Sequence, residues 1–126
     1  MKLIQESVYG IKLTKYLGIL KKGEIANAKD ISREVGVSVK FALKILRILR
    51  KNKIIESYRG ITGGYELKKE EVSVYEIIKA LQGDLYIAND FKDKEKELED
   101  EIEKELKKIQ EDVINNLKQL KIKKNL

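Results

Sequence analysis

The chain has 126 residues, 42% of them hydrophobic and 38% charged, with a formal net charge of +6; that length holds one compact domain and an extension. It contains no Cys, His, Trp or Pro, so it brings no zinc finger, haem ligand, thiol nucleophile or Cys-ligated iron–sulfur cluster of its own, and neither a cofactor nor a metal is expected. No apolar run is long enough to cross a bilayer and no signal-peptide core opens the chain, which predicts a cytoplasmic protein without membrane contact.

The charge is unevenly spread. Residues 1–83 carry 17 Lys and Arg against 9 Asp and Glu, whereas residues 84–126 carry 10 against 12. A basic front half joined to a near-neutral rear fits a chain whose first part meets a polyanion. Leu3 to Lys22 reads as a first helix, with Leu3, Val8, Ile11, Leu13, Tyr16, Leu17 and Leu20 on a broad apolar face and Gly23 at its end. Gly10 and Gly18 within it allow close packing by another element. Asn27 opens a short second helix, with Asp30 in the first turn favouring the helix start and Ile31 and Val35 facing inward.

Gly36 then turns the chain into Ser38, an N-cap for a helix running to Asn52. At 3.6 residues per turn Ala42, Ile45, Leu46 and Leu49 share one stripe, and Lys40, Lys44, Arg47 and Lys51 share another, with no acid in the segment. Asn52 is expected to stop this helix by adopting the left-handed conformation. A short helix, a glycine turn and a basic amphipathic helix make a helix-turn-helix pattern, which would lay the second helix in the major groove of DNA. A basic helix by itself is more often a solvated face, so the neighbouring segments carry the weight.

After Asn52 the period changes to two: Ile54–Tyr58 and Tyr65–Leu67 read as short strands around the glycine-rich loop Arg59-Gly60-Ile61-Thr62-Gly63-Gly64. No Lys-Ser/Thr pair and helix follow the glycines, which excludes a phosphate-binding P-loop. An Arg leading into a hairpin tip beside a basic helix is the layout of a winged helix. Ser73-Val74-Tyr75-Glu76 is a capping box for a helix containing Val74, Ile77, Ile78 and Leu81, closed by Gly83. Residues 84–90 form a connector.

From Phe91 to Ile122 the pattern predicts one long, charged helix. Leu98, Ile102, Leu106, Ile109, Val113, Leu117 and Leu120 recur at spacings of 4 and 3, holding one stripe on a nearly straight helix. Such a helix cannot bury its stripe alone, and pairing with a second copy is expected, in a two-fold homodimer. The acidic run from Glu95 to Glu105 reads as a solvated face rather than as catalytic carboxylates. The fold class expected is thus mainly α with a small β-hairpin wing: a winged helix-turn-helix unit over 1–83, the connector 84–90, and a dimerisation helix and tail over 91–126.

Several of these segments together resemble one family. Gly36-Val37-Ser38, Lys40-Phe41-Ala42, Leu46-Arg47-Ile48-Leu49-Arg50-Lys51 and Ser57-Tyr58-Arg59-Gly60-x-x-Gly63-Gly64-Tyr65-x-Leu67 are similar to the winged-helix repressors typified by the iron–sulfur cluster regulator, the nitric-oxide-sensing repressor and the cysteine-metabolism repressor. The resemblance covers 1–83 by motif and 91–122 by architecture. It implies a homodimer on a palindromic operator, with Ser38, Lys40, Phe41, Lys44, Arg47 and Lys51 facing double-stranded DNA from the recognition helix. Arg59, Gly60, Thr62 and Gly63 would do so from the wing. Where the family has a phenol this chain has Phe41, where it has a glycine at the helix end this chain has Lys53, and the connector lacks the three cysteines of cluster-binding relatives. A cluster-free repressor is therefore expected, answering to an effector small molecule or a regulatory partner protein. The alternative is a winged-helix protein-interaction module with a coiled-coil adaptor helix. An enzyme is not expected, because no nucleophile motif is present.

Overall fold

The computed structural model describes residues 1–88, 91 and 100–125. Three helices come first: α1 (Gln5–Ile19), α2 (Ala28–Val35) and α3 (Val39–Lys51). The hairpin β1 (Ile55–Tyr58) and β2 (Gly64–Leu67) follows, then β3 (Glu71–Ser73), α4 (Val74–Gln82), α5 (Glu101–Gln119) and β4 (Lys121–Lys123). The core sits where α1, α3 and α4 meet the hairpin, with Leu13, Ile31, Ile45, Leu46, Leu49, Leu67 and Ile77 fully buried.

Local chemistry sets the helix starts. The Asn27 side chain accepts from the Asp30 N–H at 2.8 Å, Ser38 Oγ from Phe41 N–H at 3.0 Å, and Ser73 Oγ from Glu76 N–H at 3.0 Å. Each satisfies one of the donors that a helix start leaves unpaired. The Ser73 cap is only half of a capping box, because the Glu76 carboxylate is turned to the Lys69 ammonium. Between α2 and α3, Gly36 at φ 80° lets its own N–H and that of Val37 return to the Ser32 carbonyl.

The first helix is shorter than its apolar pattern predicts, and its buried face, which keeps Leu13 and Leu17 with Ile11 and Tyr16 packed beside them, is shared with small residues. It begins at Gln5, leaving Leu3 ahead of it, and Val8 is 38% exposed. Its buried side is Ser7, Gly10, Leu13, Thr14, Leu17 and Gly18. Small residues win this face because two elements come close: a Cβ on Gly10 would meet the Leu81 side chain, and one on Gly18 would lie 3.0 Å from the Lys123 carbonyl. Gln82 fixes the same helix from α4, accepting from Ile4 N–H and Ser7 Oγ and donating to the Lys2 carbonyl.

The end of α3 also departs from expectation. Asn52 is not left-handed; at φ −89° it donates from Nδ2 to the Ile48 carbonyl at 2.8 Å. The left-handed residue is Lys53, at φ 61°. A side chain in that region costs about 1–2 kcal/mol, so Lys53→Gly is expected to raise stability by about 1 kcal/mol net of its greater unfolded-state freedom. A urea midpoint that falls on this substitution would mean that the lysine side chain makes a compensating contact.

The long C-terminal helix is the largest correction. Expected to run unbroken to Ile122, it ends at Gln119, and 121–123 form a strand antiparallel to β3. Val72 lies opposite Ile122 and Glu71 opposite Lys123, so one apolar pair faces across the ladder, while the Glu71 carboxylate pairs diagonally with Lys121, Oε1 to Nζ at 3.9 Å. Lys124 N–H and Asn125 N–H then bond to the Glu70 and Gly18 carbonyls. Residues 92–99, including Leu98, lie outside the described residues.

Candidate nucleic-acid interface

The recognition helix presents the two faces its sequence predicts. Ala42, Ile45, Leu46 and Leu49 are each fully buried, which fixes the rotation of α3 about its axis. Ser38, Lys40, Lys44, Arg47 and Lys51 are consequently exposed. No acidic residue occupies the first turn, so the positive end of the helix dipole adds to the cationic side chains. Two exposed apolar residues share this face, Val39 at 41% and Leu43 at 39%; an amphipathic reading ranks them as stray hydrophobes, and only their neighbours Lys40 and Arg47 mark them as surface function.

Phe41 is placed differently from the other expected contacts. Its ring is half-buried, edge-on to Tyr9 with centroids 5.8 Å apart and planes at 82°, and it packs against the core cluster. The geometry gives this side chain a packing role first. Lys44 has a partner that sequence spacing does not reveal, Glu6 of α1, with Nζ 3.7 Å from Oε2. The pair is partly solvated, so the ammonium is loosely held and can exchange its carboxylate for a phosphate.

In the hairpin, Ile55 faces Leu67 and Ser57 faces Tyr65 on the inner side, while Glu56 lies directly opposite Glu66 on the outer side. Two like charges in that register repel. The Tyr58 hydroxyl answers them, donating to Glu66 Oε1 at 2.6 Å with Glu56 Oε2 at 3.3 Å, and Lys124 Nζ approaches Glu66 Oε2 at 3.6 Å. The tip carries Arg59, Gly60, Ile61 and Thr62, all exposed, with Gly60 at φ 103° and the Gly63 N–H returning to the Gly60 carbonyl. Ile61 projects wholly into solvent, an apolar tip that the composition of a glycine loop does not advertise.

The hydrogen bond to Glu66, then lost hydration and the two negative carboxylates, push the Tyr58 phenol up to about 12 from an ordinary 10.0. The unfolded chain would release this proton near the ordinary value while the folded chain keeps it. The stabilising contribution is therefore complete below the unfolded pKa and is lost as pH rises through the folded one. A phenolate absorbance titration is expected to contain a late step that vanishes in Tyr58→Phe and moves down in Glu66→Gln; an unchanged curve in both would show that the clamp does not form in solution.

Three further cations that the spacing argument passes over, Arg50, Lys53 and Lys68, line a recess of about 270 Å³ beside β1 together with Ser57 and Tyr58. They come from the end of α3, the turn after it and the residue after β2, so only the fold gathers them.

On α5 the expected dimer stripe is divided. Ile102 is 72% exposed and Ile109 51%, and Leu106 is exposed beside them, whereas Val113 and Leu117 are half-buried. Leu120 is exposed and lies at the C-cap, beyond the helix proper. The face that packs on α4 is another one, marked by the buried Gln110, whose Oε1 accepts from the Ile87 N–H at 2.6 Å. None of the described helices is long and apolar enough to cross a membrane.

Residues 3–125 match the Rrf2 family, described as an iron-dependent transcriptional regulator. The chain is 36% identical over 84 residues to the rrf2 protein of Nitratidesulfovibrio vulgaris, a match covering 65% of this chain and 56% of that protein. It thus spans little more than half the length of such curated relatives. Two solved structures share its fold: IscR of T. potens, with a TM-score of 0.76 and 22% identity over 97% of this chain and 83% of that one, and CymR, the global cysteine regulator of B. subtilis, with a TM-score of 0.81 and 22% identity over 97% and 93%. Among the described residues the iron of the family description finds no fitting donor set. The sequence has no Cys or His, and among the described residues no three Asp or Glu converge; the residues present do not fit a thiolate- or imidazole-held centre.

Proposed function

The chain belongs to the Rrf2 family of transcriptional regulators, and from that premise we propose that it is a sequence-specific DNA-binding repressor acting as a homodimer without an iron–sulfur cluster of its own. The observation that carries this reading is the joint exposure of the α3 cations and the arginine-bearing wing on a helix whose opposite face is fully buried. Lys40, Lys44, Arg47 and Lys51 neutralise phosphates and approach base edges from the major groove, with Ser38 at the helix start. Val39 and Leu43 suit the thymine methyl group. Arg59 enters the adjacent minor groove, while Gly60, Thr62 and Gly63 bring the wing backbone close to phosphate. The chain catalyses no reaction in this reading, and it works in the cytoplasm.

Two copies meet along the exposed part of the α5 stripe, Ile102, Leu106 and Ile109, continued by the half-buried Val113, setting paired recognition helices about 34 Å apart on a palindromic site. Its signal is an effector small molecule or a partner protein. The test is selection of bound fragments from genomic DNA, expected to return a palindrome whose affinity falls steeply with salt. Arg59→Ala is expected to weaken binding to it by about tenfold and to relax any preference for narrow A·T-rich minor grooves. Failure to retard any duplex at low salt would overturn the proposal and favour the protein-interaction module; equal affinity of wild type and Arg59→Ala would remove the wing from it.

A further inference from the structure

We propose that Ile61, at the corner of the wing, is a specificity-determining residue: it packs against the floor of the DNA minor groove beside Arg59 and rejects base pairs that place an amino group there. The inference deepens the DNA-binding reading above and rests on it.

Among the described residues Ile61 is the most exposed large apolar side chain, projecting wholly into solvent. A solitary exposed isoleucine is ordinary on a protein surface; the position of this one is what gives it a partner. Gly60-Ile61-Thr62-Gly63 is a closed turn, the Gly63 N–H donating to the Gly60 carbonyl at 3.0 Å, with Ile61 the first of its two central residues. The turn stands on a stiff base. A Cβ on Gly63 would collide with the Tyr58 carbonyl, so the backbone is closely packed where the turn begins. The Tyr58 hydroxyl donates to Glu66 across the hairpin at 2.6 Å, and Tyr65 exchanges both backbone hydrogen bonds with Ala26. Little chain freedom is left to lose, so ordering the loop takes little from a contact made at its corner.

Arg59 immediately precedes the turn and is exposed with it. Entry of that guanidinium into a minor groove therefore carries the Ile61 side chain, two residues further on at the corner, into the same groove. The two residues read different things there. Arginine responds to the negative potential of a narrow groove, a property spread over several base pairs. Isoleucine responds to the single pair beneath it. At an A·T pair the floor shows only the adenine N3 and thymine O2 acceptors, whereas at a G·C pair the guanine N2 amine stands up as a donor. Ile61 has no atom to accept from that amine, and seating the side chain there strips the amine of water without replacing its hydrogen bond.

The experiment uses the full chain and the palindrome returned by selection, with adenine replaced by 2,6-diaminopurine at one position at a time in each half-site. This change adds the minor-groove amine and leaves the major-groove edge as it was. The wild type is expected to lose about tenfold in affinity at one or two adjacent positions under the wing. Ile61→Ser, whose hydroxyl accepts from the amine, is expected to lose less than about threefold at those positions, and Ile61→Val to keep the discrimination. The urea midpoint of Ile61→Ser should equal that of the wild type, because the side chain is wholly exposed in the folded chain. Indifference of the wild type to the amine at every position overturns the role of Ile61. Equal losses for wild type and Ile61→Ser overturn it too, and assign the discrimination to Arg59 alone. In either case the DNA-binding reading stands; failure to retard any duplex, modified or not, overturns both.

Discussion

Ile102→Glu combined with Ile109→Glu is expected to leave the subunit folded, dissociate the proposed homodimer, and lower operator affinity by about 10²–10⁴-fold. The two positions lie seven residues apart on one face of α5 and are largely exposed in the single chain. Replacing them there removes almost no packing, and Glu is a better helix former than Ile. In the dimer the same carboxylates would be driven into an apolar seam without partners, at several kcal/mol each. Losing the dimer converts the second half-site contact from an intramolecular event into an independent one, which is where the affinity goes. Sedimentation equilibrium and operator retardation read the two effects separately. A variant that remains dimeric with wild-type DNA affinity would show that the seam lies elsewhere on the molecule.

Gly64→Ala is expected to cost about 2–3 kcal/mol of stability and to release the wing from the body of the domain. A Cβ at this position would stand 2.7 Å from the Ala26 carbonyl oxygen and 2.8 Å from its carbon. Backbone cannot move aside as a flexible side chain can. The contact is tight because Ala26 and Tyr65 exchange both backbone hydrogen bonds, at 3.0 and 2.7 Å, docking β2 against the segment before α2. Breaking that bridge frees the hairpin that carries Arg59, so DNA affinity should fall together with the urea midpoint. Gly60→Ala is the control for the urea midpoint alone, since Gly60 itself belongs to the proposed DNA-facing wing. It faces open space at φ 103°, so only the backbone penalty of about 1 kcal/mol applies. Similar losses at both positions would mean that the Ala26 bridge does not hold the wing.

Much of the helical scaffold was legible residue by residue. Asn27, Ser38 and Ser73 cap helices because a short side-chain oxygen at each start reaches the N–H three residues on, which depends on local sequence alone. The α3 stripe was readable because a 3.6-residue period needs no knowledge of what packs on it. The family resemblance carried by the wing and recognition-helix residues agrees with the Rrf2 match over 3–125. The second ladder was not legible. Glu71–Ser73 and Lys121–Lys123 each contain one apolar residue, too short a pattern to announce a strand, and each becomes one only because the other lies alongside. Val8 misled the reading of α1, since counting apolar residues ignores the small ones that permit close approach.

The order of amino acids by itself determined the helix starts, the two faces of α3, the hairpin wing and the absence of any Cys or His, because each is set by neighbouring residues or by composition. Tertiary structure alone decided that Glu6 reaches Lys44, that Arg50, Lys53 and Lys68 share a recess, and that α5 turns Gln110 toward α4 while leaving Ile102 and Ile109 outward. These are contacts between segments far apart along the chain, and their energies appear only once the backbone entropy of bringing those segments together has been overcome.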